Sequence, residues 1–128
     1  MIEIPILWQY LILLATHYVA DFICQTHWQA SNKSSNNEAL TRHVAVYAAS
    51  ISVMSVMVFG LGYGILFVAV NAVLHWCTDY GTSRWSARLF GRDWHDFFVV
   101  LGLDQLIHQF TIAGTLAGFW YLTGMRMW

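Results

Sequence analysis

Charge is what this chain has least of. Of its 128 residues 10% are Asp, Glu, Lys or Arg and 58% are apolar, against roughly 25% and 45–50% in soluble globular domains. The formal net charge is −1, and no Lys/Arg-dense segment is present that would neutralise phosphates, which excludes a nucleic-acid partner. The two cysteines, Cys24 and Cys77, follow no metal-finger spacing and fall in apolar runs, so a disulfide framework is not expected. The N-terminal stretch lacks a basic region and a small-residue cleavage site, so its apolar run is expected to stay as a transmembrane segment. The only proline, Pro5, suits the first turn of a helix.

What is present is a set of apolar runs, each near the roughly 20 residues a bilayer core requires. They predict an all-α membrane protein, a single-domain four-helix transmembrane bundle over 1–128, with helices at about 5–25, 36–60, 61–80 and 95–123. "GLGYG", Gly60 to Gly64, supplies the tight turn between the second and third. Ser35 followed by Glu38 has the form of a capping box and sets the second helix starting near Asn36, and Asp93 and Asp96 serve the fourth in the same way. "THWQASNKSSNNEALTR" and "YGTSRWSARLFGRDWHD" join the other helices and must share one side. They carry Lys33, Arg42, Arg84, Arg88 and Arg92, whereas Arg126 is the one basic residue opposite. The positive-inside rule places both loops in the cytoplasm and both termini on the non-cytoplasmic side. The second loop, with Trp85, Leu89 and Phe90 among its arginines, reads as partly an interfacial helix.

Within this apolar frame the ionisable residues fall at one depth. His17 and Asp21, His75 and Asp79, and Asp104 and His108 are spaced i,i+4, so each pair lies on one helix face about 40° apart. His43 enters with the second helix, and Gln25, Asn71 and Gln105 extend the polar stripes. At about 1.5 Å rise per residue all seven His and Asp groups fall in the cytoplasmic half of the bilayer. A carboxylate in hydrocarbon costs about 2.5–3.5 kcal/mol even on the lenient insertion scale, and no Lys or Arg lies inside the apolar runs, the second of which begins at His43, to offset it. Protonation, histidinium partners or bound metal remain.

Imidazole and carboxylate are ligands of zinc, iron(II) and manganese(II), and a set with little sulfur suits an open site. His17, Asp21, His75, Asp79, Asp104 and His108 are the expected ligands of a divalent metal, zinc first, with manganese or iron as alternatives. Asp21, Asp79, Asp104 and His43 are the candidate catalytic groups, and Gln25, Lys33, Asn71, Arg84 and Gln105 the candidate substrate or supporting groups. The set could hold one ion or two about 3.5–4 Å apart. The competing account is a metal-free His–Asp hydrogen-bond network of the kind that single polar residues make in membrane bundles. His27 and His95, near Trp28 and Trp94, read as interfacial residues, and the seven tryptophans as interfacial anchors. Cys24 reads as a small buried hydrophobe in preference to an additional ligand.

"HYVADFICQTHWQASNK", "RHVAVY", "NAVLHWCTDY" and "LDQLIH", in this order, resemble a domain-of-unknown-function family of small bacterial and phage membrane proteins. Its pattern is His-x-x-x-Asp-Phe-x-x-Gln with a nearby lysine, a His opening the next helix, His-x-x-x-Asp, and Asp-Gln-x-x-His. The resemblance falls on His17, Asp21, Phe22, Gln25, Lys33, His43, His75, Asp79, Asp104, Gln105 and His108. Arg84 stands five residues after Asp79, where the family often has a lysine closer to that position. The resemblance implies a site and names no reaction.

The expectation is therefore an integral metalloprotein of the bacterial inner membrane, or of a host membrane if phage-encoded. Its function would be metal-dependent hydrolysis of a lipid or lipid-linked substrate, with membrane lipid as its surroundings. Arg84, Arg88 and Lys33 would attract a phosphate-bearing headgroup. Divalent-cation or proton transport is one alternative, and a non-enzymatic phage factor binding a host membrane protein another. A homo-oligomer is compatible with each.

Overall fold

The computed structural model describes residues 4–124. Arg126 and the chain termini, on which part of the topology argument rests, lie outside the described residues. Everything regular among those residues is helical: α1 (Ile6–Ile23), α2 (His27–Asn32), α3 (Asn37–Leu89) and α4 (Trp94–Thr123). Three of them, α1, α3 and α4, are long and apolar enough to cross a membrane.

At 53 residues α3 would run about 80 Å if straight, far beyond the roughly 30 Å of a bilayer core. It is broken at Gly60, whose φ of 75° and ψ of 173° are open only to glycine. The arms on either side fold against each other: Thr41 accepts a hydrogen bond from Trp76 at 3.2 Å, His43 meets His75, and Ser55 and Val56 lie against Gly64. One index falls as the other rises, so the arms 37–59 and 61–89 are antiparallel. A Cβ on Gly64 would sit 2.7 Å from the Val56 Cα, so the close approach requires glycine.

The ends are capped by short polar residues, as the unpaired N–H groups of a helix N-terminus demand. Thr26 and Gln29 form a capping box on α2, with Thr26 Oγ1 accepting from Gln29 N at 3.2 Å and Gln29 Oε1 from Thr26 N at 2.9 Å. Asn36 caps α3 through Oδ1, in place of the expected Ser35, and Asp93 caps α4 by accepting from Asp96 N at 3.0 Å. The third predicted helix does not stop at Tyr80 but continues to Leu89, so the expected interfacial helix is part of α3.

Polarity runs inside out. Leu7, Trp8, Ile23, Val53, Leu61 and Phe110 are exposed, whereas the imidazoles of His17, His43, His75 and His108 are buried. Lipid is the solvent that makes this arrangement favourable. At the end of the molecule that holds the Gly60 turn, Phe59, Phe67 and Phe119 pack with centroids 5.2–5.6 Å apart. Beside them the indole of Trp120 donates to Gln9 Oε1 at 2.8 Å, tying α4 to α1. Trp120 is thus a core residue and not an interfacial anchor.

Candidate metal centre

Four segments deliver the polar groups. α1 brings His17 and Asp21, the latter inside a π turn over Val19–Ile23, a distortion that recurs at functional sites. The first arm of α3 brings His43, its second arm His75 and Asp79, and α4 His108 and Asp104. Excepting Asp104, each is at most 3% exposed.

The atoms converge. Asp21 Oδ1 lies 3.1 Å from His43 Nε2 and 3.1 Å from His75 Nε2, which are themselves 3.3 Å apart. Tetrahedral zinc with bonds of about 2.0–2.1 Å has ligand–ligand edges of about 3.3–3.4 Å, so this triangle has the size of one face of such a site. Asp21 Oδ2 lies 3.2 Å from His17 Nε2, and Asp79 places Oδ2 3.3 Å from His43 and Oδ1 3.4 Å from His108. Three overlapping groups are compact enough to hold an ion: His17, Asp21 and His108; Asp21, His43 and His75; and His75, Asp79 and His108.

His108 fixes what kind of partner is needed. Its Nδ1 lies 2.9 Å from the Asp104 carbonyl oxygen, which can only accept, so Nδ1 carries the proton. In the neutral ring Nε2 is then a lone-pair acceptor, and it faces the Asp79 carboxylate with no hydrogen-bond partner. Two buried acceptors facing each other call for a cation between them, either a second proton on the ring or a metal ion. His17 is similar: Nε2 is close to Asp21 Oδ2 but not aligned to bond it, and both ring nitrogens lack partners. The close distance alone is therefore not a hydrogen bond.

Supporting groups hold these rings. Tyr47 stacks on His75 at 4.2 Å and meets His17 edge-on. Asp104 accepts from the Thr82 hydroxyl and from Gln105 Nε2, and its Oδ2 stands 3.6 Å from His108 Nδ1. Lys33, folded in after α2, donates to Asp79 Oδ2 at 2.9 Å. Burial opposes its charge, but the surrounding carboxylates, Asp79 foremost with Asp21 and Asp104, more than offset this and hold the ammonium above its ordinary pKa. A cleft of about 320 Å³ opens beside the cluster. Asp21, Asp79, Asp104, Lys33, Gln25 and Gln105 line its polar part, and Phe22, Phe90, Phe97 and Leu101 its apolar part.

The expected site residues are therefore not all equivalent. His17, Asp21, His75, Asp79 and His108 come together, and His43, expected only as a base, joins them in a ligand-sized group. Asp104, expected as a ligand, falls outside all three groups and supports His108 instead. Asn71 lies one turn from His75, bonded to the Phe67 carbonyl and the Thr115 hydroxyl. Arg84 turns away from the cleft, donating to Asn37 Oδ1 at 2.7 Å and lying over the Tyr80 ring. Cys24 is exposed, not buried. Tyr47 and Thr82 were missed, though Tyr47 follows His43 by four and Thr82 follows Asp79 by three, positions that extend the same faces.

Apolar outside, charged within, and built of helices able to cross a membrane, this is a helical membrane protein with a buried His/Asp cluster. The family described as "Protein of unknown function (DUF3307)" matches residues 10–125, and the chain belongs to it. No curated protein and no solved structure matches the chain.

Proposed function

We propose that this chain is a metal-dependent hydrolase of the bacterial inner membrane, acting on a lipid or lipid-linked substrate. It crosses the bilayer four times, the arms of α3 counting separately, with both termini on the non-cytoplasmic side. The observation that carries the proposal is the triangle of Asp21 Oδ1, His43 Nε2 and His75 Nε2, three buried ligand atoms 3.1–3.3 Å apart, whose Asp21 also lines the cleft. Three protein ligands leave a fourth position for water, the arrangement of catalytic rather than structural zinc. A divalent ion there would lower the pKa of that water to about 7.

The chain's own residues supply the rest. Asp79, adjoining His43 and His75, accepts the proton of the attacking water. Lys33 moves from Asp79 to an anionic headgroup, which frees Oδ2 for that task, while Gln25 and Gln105 orient the polar part of the substrate. The alkyl chain lies along Phe90, Phe97 and Leu101, so the two-part lining fits an amphiphile. Transport is the weaker account, because Phe59, Phe67 and Phe119 fill the bundle beyond the cluster and Gln9 is committed to Ile4 and Trp120.

Elemental analysis of purified protein tests this. At least one equivalent of zinc, manganese or iron is expected, lost in His75→Ala. Asp79→Asn should keep metal yet release no product from a phospholipid or a polyprenyl-linked sugar in mixed micelles. Protein without stoichiometric metal would sink the proposal.

A further inference from the structure

We infer that the cluster holds a second divalent ion, with the Asp21 carboxylate bridging the pair. The inference rests on the cluster being a metal centre and adds how many ions it holds and by which atoms. Asp21 divides its oxygens: Oδ1 faces His43 and His75, each at 3.1 Å, while Oδ2 faces His17 at 3.2 Å. His108 completes a second ligand-sized group with His17 and Asp21. The ligands of the first ion thus leave over two imidazoles, both buried and both with unpartnered Nε2 atoms: His17 at the other oxygen of the same carboxylate, and His108 in the same ligand-sized group.

A structural role for these two rings would look different. An imidazole buried for packing pairs its nitrogens, because an unpaired polar atom away from water is costly. His108 does so only on the side away from the cluster, through Nδ1, and presents a bare lone pair inward. His17 pairs on neither side. Asp79 repeats the division, with Oδ2 toward His43 and Oδ1 toward His108, one histidine from each ligand group. A carboxylate whose two oxygens serve two ligand-sized groups matches a pair of ions about 3.5–4 Å apart, as in two-metal hydrolytic sites, with Asp79 lying between the same two halves as the base. The ligand class is a borderline divalent cation accepting nitrogen and oxygen donors, namely zinc, manganese(II) or iron(II).

Chelator-treated protein in detergent, titrated with manganese(II), should bind two equivalents per chain, and its electron paramagnetic resonance spectrum should be that of an exchange-coupled pair. His17→Ala should bind one equivalent and give an uncoupled six-line signal, with an unchanged far-UV circular dichroism spectrum. Wild-type protein that saturates at one equivalent, or that binds two without coupling, overturns the bridged pair while leaving a single-ion centre standing. No binding at all removes the metal centre itself. Because the wild-type titration decides the count, the test survives a His17 variant that fails to fold.

Discussion

The imidazole of His108 is aimed by a bond made away from the centre. Its Nδ1–H points at the Asp104 carbonyl, and the Asp104 side chain beneath it is held by Thr82 and Gln105. Such supporting bonds set ligand orientation, and their loss typically weakens metal binding about 10–100-fold. Thr82→Val, which removes the hydroxyl and keeps the shape, should weaken manganese binding by about that factor in chelator competition, without changing helicity. Lys33→Met should leave metal content intact and reduce turnover of an anionic lipid about 10-fold or more, the size of one lost hydrogen bond to a charged group. The i,i+4 pairs were legible in the sequence because residues four apart share a helix face, whatever surrounds them. The contact of Lys33 with Asp79 was not, since it depends on how the connection through α2 folds, and no periodicity reports that. Asp104 illustrates a related limit of spacing, which shows which face a side chain is on but not whether it reaches the centre or, as here, stands beside the far nitrogen of His108.

Among the elements, α3 shows where hydropathy is blind. A helix can leave the apolar layer and keep its hydrogen bonds, so the polar stretch after Tyr80, expected as a connection that is partly a separate interfacial helix, is instead continuous with α3 to Leu89. The turn was legible from its glycines, and the structure separates their roles. Gly60 is needed for its backbone angles, and Gly64 for the space against Val56. Gly64→Val should destabilise the hairpin by about 1–3 kcal/mol, because the clash is with backbone and cannot be relieved by a rotamer change. Gly60→Ala should cost about 1–3 kcal/mol through strain alone. Unfolding by denaturant in mild detergent reads both, and the Gly64 variant should also bind metal more weakly, since His43 and His75 are carried on the two arms it holds together.

For the molecule as a whole, the orientation proposed from the basic loops has a direct check. With Cys24 and Cys77 replaced by serine, a cysteine at exposed Arg92 should react with a membrane-impermeant maleimide only from the cytoplasmic side, and one at exposed Gly62 only from the other. Reaction of both from the same side would contradict the four-pass arrangement. The bond between Gln9 and Trp120 spans 111 positions of the chain, and it bears on the order of assembly. At about 5–20 residues per second of synthesis, roughly 5–20 s separate the appearance of these partners. During that interval the Gln9 amide lacks the indole that bonds it, while Asp21 can already meet His43 and His75 of α3. α1, made before α3 and α4, is thus the last of the three to be locked at that end, and a chain cut short before Trp120 would leave the Gln9 amide without its indole partner.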